Sequence, residues 1–282
     1  MNAADTGGQR ATEHLPAFAR AGLGVLRPMA QLGTAFLGGI GSRVLFVRDI
    51  ARAFKEPSTW RPLILPQMRA IGVDSVPLAA MVAAFIGSVI ALQVRYQLFQ
   101  GISRSVVGLS VRQMIVLELG PLLTGLVLAG RVGARMTAEI GTMRVTEQID
   151  ALETLAYDPV AYLVVPRLIA GTIMLPVLVV LANAVGIISG LLTAIIGTDV
   201  TMFEFRDGLR LGFTDFQVYY SLIKATMFGA AIAFLCTFEG YTTEAGAEGV
   251  GRSTARAVVY TSVAILVLDA VTAVLLARYL AA

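Results

Sequence analysis

Five long apolar stretches dominate the pattern of hydrophobic and polar positions along the chain. A membrane-spanning helix needs about 20 apolar residues, because each residue rises about 1.5 Å through roughly 30 Å of hydrocarbon. Two of the stretches are uncharged and the other three carry one ionisable side chain each, so the pattern predicts five transmembrane helices. The expected fold class is all-α, a polytopic membrane protein. With their flanks, the predicted spans are about 70–97, 109–133, 161–197, 216–238 and 255–280.

The third stretch, residues 168–198, is longer than one upright helix requires. It predicts either a tilted helix or a helix bent at Pro176. Gly186 and Gly190 in this stretch form a G-x-x-x-G pattern, which permits close packing of two helices. The alternative explanation for this pattern is that glycine is simply common in membrane helices.

The N-terminal part of the chain has a different pattern. Residues 1–14 are polar and predict a disordered tail, and no signal peptide is evident there. We expect interfacial helices over residues 15–65, since residues 43–56 combine basic side chains with apolar positions at helical spacing. A sixth, imperfect span within residues 15–40 is the alternative. The membrane domain is expected over residues 66–282.

Composition narrows the class of protein. Hydrophobic residues make up 56% of the chain and charged residues 15%, with a mean hydropathy of +0.76. Soluble domains are about one quarter charged, so this balance argues against a soluble enzyme, a disordered chain and a nucleic-acid-binding protein. A single cysteine (Cys236) and a single histidine (His14) predict no internal disulfide and no metal site. Neither lysine, Lys55 or Lys224, lies in a G-x-x-x-x-G-K-[ST] loop, so any ATP would be bound by another polypeptide.

The distribution of basic residues predicts the orientation in the membrane. Most arginines lie before the first span or in the second-to-third and fourth-to-fifth connections. Because cytoplasmic segments carry the excess of basic residues, we expect the N-terminus in the cytoplasm and the C-terminus outside. The external segment 197–215 is expected to include a short helix near residues 202–211.

Three ionisable side chains lie within predicted spans, namely Glu118, Lys224 and Asp269. Counting rise per residue from the nearer span ends places all three about 12–14 Å from the outer surface. A charge at this depth is costly unless it is paired or hydrated. One interpretation is a polar site for a charged or zwitterionic lipid headgroup. The others are an ion-paired network that locks three helices together, and a proton relay or acid pair formed by Glu118 and Asp269.

The connection between the second and third spans, residues 130–159, is far longer than a turn. Its charged side chains alternate with apolar ones at near-helical spacing, which predicts amphipathic helices, with Gly141 separating two short segments. The acidic balance after Arg144 favours a protein partner over anionic lipid. A solvated connector is the alternative.

Several sequence blocks identify a family. The stretch LELGPLLTGLVLAGRVGARMTAEIGTMRVTEQIDALETLAYDP closely resembles the MlaE/YrbE family of ABC-transporter permeases, the membrane subunits of Mce-type lipid transport systems. The resemblance continues in order through VPRLIAGTIMLP, LIKATMFG, GAEGVGRSTARAVV and LVLDAV. It covers roughly residues 61–280, so that 66–282 would be an MlaE-type permease domain.

The resemblance implies a permease subunit of an ATP-driven transporter of phospholipid-like substrates, in the bacterial inner membrane. Such a chain is no enzyme itself, has no cofactor of its own and leaves ATP and Mg²⁺ to a separate ABC ATPase subunit. The implied partners are a second copy of the chain, which completes a lipid cavity, a periplasmic Mce-domain lipid-binding protein and a small STAS-type regulatory subunit. Nucleic acid is not among them.

The resemblance also implies roles for individual residues. Glu118, Lys224 and Asp269 would line the lipid cavity, and a coupling helix at about 137–157 would dock on the ATPase. Relatives often have Arg before the Glu of ELGP, whereas this chain has Leu117, and Arg112 is not assumed to replace it. Two other classes remain open, an ion-coupled secondary transporter and an intramembrane lipid enzyme. The coupling residues implied are Glu139, Arg144, Thr146, Glu147, Gln148, Asp150 and Glu153.

Overall fold

The structure is a computed structural model that describes residue 39 and residues 41–99, 101–244 and 246–280. Within these ranges the chain forms helices and no strands, which confirms the all-α class. The predictions for the tail at residues 1–14 and for a sixth span within residues 15–40 fall outside the described residues, apart from residue 39.

The chain divides into two compact units, Met1–Ala51 and Arg52–Ala282. Helix α1, residues 41–53, covers most of the described part of the first unit. Its side chains Val44, Leu45 and Val47 are exposed between basic positions, as the amphipathic pattern predicts. Its location in the headgroup region stays a prediction.

Within the described residues, five helical runs are long and apolar enough to cross a membrane, which confirms the predicted number. They are called here the first to fifth spans: Pro57–Gln97, Ser105–Val145, Val160–Gly197, Asp215–Tyr241 and Ala247–Leu276. The first span begins earlier than expected, and the predicted border between residues 65 and 66 falls inside its first helix.

The spans are built from the following elements. The helices after α1 are α2 (Pro57–Ile71), α3 (Val76–Gln97), α4 (Ser105–Met114), α5 (Gly120–Leu128), α6 (Ala134–Val145), α7 (Gln148–Thr154), α8 (Val165–Gly197), α9 (Met202–Arg210), α10 (Asp215–Tyr241) and α11 (Ala247–Leu280). Single π-helical turns at Ile115–Leu119, Ala129–Gly133 and Val160–Val164 join some of them into continuous runs.

The third span is central to the packing, since it contacts both the first and the fourth spans, and the fourth in turn packs against the fifth. The buried core at the middle of the bundle includes Leu128, Leu175, Phe228 and Ile265, one from each of the last four spans. Burial of these large side chains removes apolar surface from lipid contact and gives each span a defined rotation about its axis.

The G-x-x-x-G pattern is used for close packing. A Cβ atom on Gly190 would lie 3.1 Å from the Gly87 carbonyl oxygen, and one on Gly186 would lie 3.3 Å from the Ala83 carbonyl oxygen. The backbones of the first and third spans therefore approach directly at these glycines. The third span passes through Pro176 as one continuous helix.

The prediction that Gly141 separates two helical segments is wrong. Helix α6 continues through Gly141. The glycine instead allows close packing just after the fourth span, because a Cβ atom there would lie 2.9 Å from Thr243 Oγ1. The helix instead breaks at Thr146 and Glu147, and Glu147 has a left-handed backbone with φ of 59°.

The bundle has two ends. The first-to-second and third-to-fourth connections lie at one end, called the Asp199 end, and the other two connections lie at the opposite, Glu147 end. The short helix predicted near residues 202–211 is confirmed as α9, Met202–Arg210, and its external location stays a prediction. It begins with a capping box, in which the Thr201 side chain accepts from the Glu204 N–H and the Glu204 carboxylate accepts from the Thr201 N–H.

Candidate functional site

The backbone of the second span is irregular where Glu118 lies. Glu118 belongs to the π-helical turn Ile115–Leu119, directly before Gly120 and Pro121. Because proline has no N–H, the Leu117 carbonyl, four residues earlier, loses its usual α-helical donor. A π turn at this point also changes the direction of the side chains that it carries, and such turns are frequent at functional sites.

Lys224, from the fourth span, is the centre of the site. Its side chain is fully buried, and its ammonium group lies 2.7 Å from Glu118 Oε2 and 2.8 Å from Asp269 Oδ1. The third contact is the Leu117 carbonyl oxygen at 3.3 Å, the same carbonyl that loses its α-helical donor at Pro121. The Tyr220 ring, one helical turn before Lys224, lies with its centroid 4.8 Å from the ammonium nitrogen.

The structure thus brings together all three ionisable side chains predicted from the spans, and we call Glu118, Lys224 and Asp269 the charge triad. The triad ties the second, fourth and fifth spans to one another, as the ion-paired interpretation requires. Its members differ in accessibility: the side chain of Glu118 is 43% exposed, that of Asp269 is 11% exposed, and that of Lys224 is buried. A headgroup site also requires an exposed carboxylate. The geometry is therefore consistent with both the ion-paired network and the headgroup site.

Further polar groups in the neighbouring part of the bundle were missed by the sequence analysis. The Asn183 side chain, from the third span, donates to Ser221 Oγ at 3.1 Å. Gly120 has no room for a Cβ atom because Asn183 Oδ1 occupies that position. Tyr220 could have been found from sequence, since it lies four residues before Lys224 on the same helix face. Asn183 carries no charge and lies on a different span from Lys224, so nothing in the sequence connected it with the site.

Arg112 does not replace the arginine that relatives carry next to Glu118. It is buried nearer the Asp199 end, where its guanidinium donates to Gln217 Oε1 at 2.5 Å and to the Leu211 carbonyl at 2.8 Å. The ring of Phe213 lies 5.4 Å from the same group. Arg112 therefore ties the second span to the connection before the fourth span, and these contacts lie away from the charge triad.

The predicted coupling residues form a folded corner between α6 and α7. Arg144 and Asp150 make an ion pair at 2.7 Å across the break, and Gln148 Nε2 donates to Thr146 Oγ1 at 3.0 Å. Thr146 itself donates to the Thr142 carbonyl. The corner also carries the exposed carboxylates of Glu147 and Glu153. We call residues 144–153 the coupling corner.

Glu139 differs from the other predicted coupling residues because it contacts the bundle. Its carboxylate pairs with Arg135 at 2.7 Å and with Arg167 at 3.3 Å. The side chain of Arg167 is 8% exposed and also donates to the Leu163 carbonyl. Glu139 therefore links the helix before the coupling corner to the third span.

A second group of charges lies at the Asp199 end. Arg95, at the end of the first span, donates to Asp199 through two nitrogens, at 2.5 and 2.7 Å. Arg104 pairs with the same carboxylate at 3.0 Å. The hydrogen bond from Arg95 lowers the pKa of Asp199 to about 2.

In the described part of the chain, no three His, Cys, Asp or Glu side chains are grouped so that they could hold a metal ion.

Comparisons with known proteins agree with this architecture. The family model described as Permease MlaE matches residues 64–275, which begin inside α2 and reach the last turn of the fifth span. A probable ABC transporter permease protein of Rickettsia prowazekii is 41% identical over 236 residues, covering 82% of this chain and 90% of the relative.

Two relatives from other organisms have names that include a lipid. The intermembrane phospholipid transport system permease protein MlaE of Haemophilus influenzae is 33% identical over 246 residues, covering 83% of this chain and 94% of the relative. The chloroplastic protein TRIGALACTOSYLDIACYLGLYCEROL 1 of Arabidopsis thaliana is 33% identical over 232 residues, covering 82% of this chain and 66% of the relative. The chain is therefore a multi-pass membrane protein of the MlaE permease family, a transport subunit of the ABC-transporter type rather than an enzyme.

Proposed function

We propose that this chain is the permease subunit of an ATP-driven phospholipid transporter in the bacterial inner membrane, with its N-terminus in the cytoplasm. Two copies would form a lipid cavity between them. The observation that carries this proposal is the charge triad, which gives three spans of an MlaE-family permease a polar, partly exposed site within the apolar bundle. The name of the Haemophilus influenzae relative supports phospholipid as the substrate class.

The lipid would be bound by two kinds of contact, polar contacts at the charge triad and apolar contacts around it. Met114, four residues before Glu118, is 44% exposed, and Ile223, next to Lys224 in the sequence, is 40% exposed, so the spans that carry the triad also present apolar side chains. Acyl chains would contact such apolar surfaces, and the polar headgroup would lie near the triad. The site contributes binding and orientation, and no step needs a covalent change in the lipid.

Energy would come from a separate ABC ATPase that binds ATP and Mg²⁺, docked on the coupling corner. Exposed acidic side chains at Glu147 and Glu153 favour a basic groove on that partner. Movement of the corner would reach the bundle through Glu139, whose carboxylate contacts Arg167 of the third span. The third span packs directly on the first and fourth, so a rigid-body shift would change the cavity as a whole. A periplasmic Mce-domain protein and a small STAS-type subunit complete the proposed complex.

Lys224→Ala tests the transport proposal directly. Removal of the ammonium leaves two carboxylates without their shared partner, so we expect at least about tenfold slower ATP-dependent phospholipid transfer in proteoliposomes with the ATPase. Lys55→Ala is the matched control, because Lys55 is the only other lysine of the chain and is exposed. Unchanged transfer by a folded Lys224→Ala variant, or transfer by the chain with no ATPase present, would contradict the proposal.

Glu147 provides a separate test of the coupling corner. We expect Glu147→Lys to weaken ATPase binding about tenfold by reversing the charge at the docking surface. Glu147→Gly is the structural control, since glycine adopts the left-handed backbone of this position without strain. Pull-down of the ATPase with each purified variant measures the effect. Wild-type binding by Glu147→Lys would mean that the ATPase docks elsewhere.

A further inference from the structure

The members of the charge triad differ in how available they are to a lipid headgroup. A lysine ammonium has three N–H donors. Three acceptors already lie within 3.3 Å of Lys224 Nζ: Glu118 Oε2, Asp269 Oδ1 and the Leu117 carbonyl oxygen. The Lys224 side chain is fully buried as well. The only cationic group of the triad is therefore enclosed and offers no accessible surface to a lipid phosphate.

The accessible member of the triad is a carboxylate. The side chain of Glu118 is 43% exposed and lies on the π-helical turn, whereas the Asp269 side chain is mostly buried. Two carboxylates share one ammonium, so one negative charge within a membrane span is uncompensated when both carboxylates are ionised. An uncompensated charge at this depth is unfavourable, and a ligand that brings a positive charge to Glu118 would offset it.

We infer that the site selects phospholipids with a cationic amine in the headgroup, such as phosphatidylethanolamine, and that the headgroup ammonium binds at the Glu118 carboxylate. This inference rests on the proposed phospholipid transport. An ammonium N–H donating to Glu118 makes a charge-assisted hydrogen bond. An anionic headgroup such as that of phosphatidylglycerol instead places its phosphate near an exposed carboxylate, with Lys224 unable to reach it.

The preference extends to the number of N–H donors on the amine. Phosphatidylethanolamine has three N–H groups on its ammonium, and phosphatidylcholine has none. Both place a cationic nitrogen beside Glu118, but only the primary ammonium can donate a hydrogen bond to it. The order of preference expected is phosphatidylethanolamine, then phosphatidylcholine, then phosphatidylglycerol.

The test is lipid exchange on the purified full-length chain. The chain is equilibrated in mixed micelles that contain equal amounts of phosphatidylethanolamine and phosphatidylglycerol with identical acyl chains, repurified, and its retained lipids are quantified by mass spectrometry. We expect about fivefold enrichment of phosphatidylethanolamine on the wild-type chain. Glu118→Gln, which keeps the size of the side chain and an acceptor oxygen for Lys224, is expected to bring the ratio to that of the micelle.

Glu248→Gln is the control, because this carboxylate is highly exposed and pairs with Arg252 at the Glu147 end. It should retain the wild-type lipid ratio. The wild-type measurement needs no substitution, so the test does not depend on the folding of a variant.

The outcomes distinguish a failure of the headgroup inference from a failure of the proposed function. Wild-type enrichment of phosphatidylglycerol, or a lipid ratio equal to that of the micelle, overturns the headgroup inference and leaves lipid transport standing. A ratio equal to that of the micelle is the result expected if a proton, rather than a headgroup, balances the triad. Enrichment that persists in Glu118→Gln also overturns the inference. Retention of no lipid above that of an unrelated membrane protein overturns the inference and the proposed function together.

Discussion

At the scale of single residues, the chain places strongly interacting charges where each has a defined partner. Lys224 pairs with two carboxylates and donates to the carbonyl that loses its α-helical donor at Pro121, so the buried cation lies where the backbone is irregular. Arg167 and Arg112 follow the same rule at other depths, since each donates to a carbonyl and to one side chain. Each of these arginines is thereby fixed to a second part of the chain.

The Asp199 ion pair gives a prediction for pH. Its pKa is lowered to about 2 from a reference value of 3.8 by the hydrogen bond from Arg95. A lowered folded-state pKa means that the stabilisation is fully present above about pH 4 and is lost as the pH falls toward 2. We therefore expect Asp199→Asn to lower the melting temperature equally at pH 5 and pH 8, with a difference from wild type that shrinks below pH 4. Thermal unfolding in an acid-stable detergent measures this, and a difference that changes between pH 5 and pH 8 would contradict the assignment.

At the scale of helices, glycines decide how closely the spans approach. Gly87 of the first span faces Gly186 and Gly190 of the third. A Cβ atom on Gly87 would overlap the Gly186 carbonyl, and Cβ atoms on Gly186 and Gly190 would be in tight contact with the first span. Gly141 and Thr243 make a similar close contact at the Glu147 end. The sequence pattern found the first of these contacts because the two glycines of the third span are four residues apart. It misassigned Gly141, since a lone glycine in a polar segment looks like a helix break until its neighbour is known.

Gly87→Ala tests the first contact. The added methyl group would overlap the Gly186 carbonyl, so we expect a loss of about 1–3 kcal/mol in stability from overpacking. Gly251→Ala is the matched control, because that glycine lies in the helix of the fifth span with open space around it. The control should be neutral or more stable by up to about 1 kcal/mol, since alanine favours helix. Chemical unfolding in mixed micelles compares the two variants, and equal effects would remove the close-packing explanation.

At the scale of the whole molecule, the two ends of the bundle have different surfaces. The Asp199 end presents α9 with the exposed side chains Met202 and Phe203, next to the ion pairs of Arg95 and Arg104. The Glu147 end presents the coupling corner. Because the spans alternate in direction, these two surfaces belong on opposite sides of a membrane.

Cysteine labelling can assign the two sides. We expect Gln148→Cys to react with a membrane-impermeant maleimide only after cells are opened, and Phe203→Cys to react from the outside in spheroplasts, since most basic residues accompany the Glu147 end. The wild-type chain, whose only cysteine is the buried Cys236, gives the background. Labelling of Gln148→Cys in intact spheroplasts would invert the proposed orientation and with it the position of the ATPase.

The sequence alone determined the number of spans, the all-α class, the short helix α9 and the three ionisable side chains that had to find partners within the membrane. These properties follow from local patterns, because span length and the cost of an intramembrane charge depend on the residues themselves. Only the tertiary structure decided that Lys224 is enclosed while Glu118 is exposed, that Glu139 contacts Arg167, and that Arg112 lies away from the triad. Such contacts depend on the rotation of each helix about its axis and on the register between spans about a hundred residues apart, and both are fixed by packing that no local pattern records.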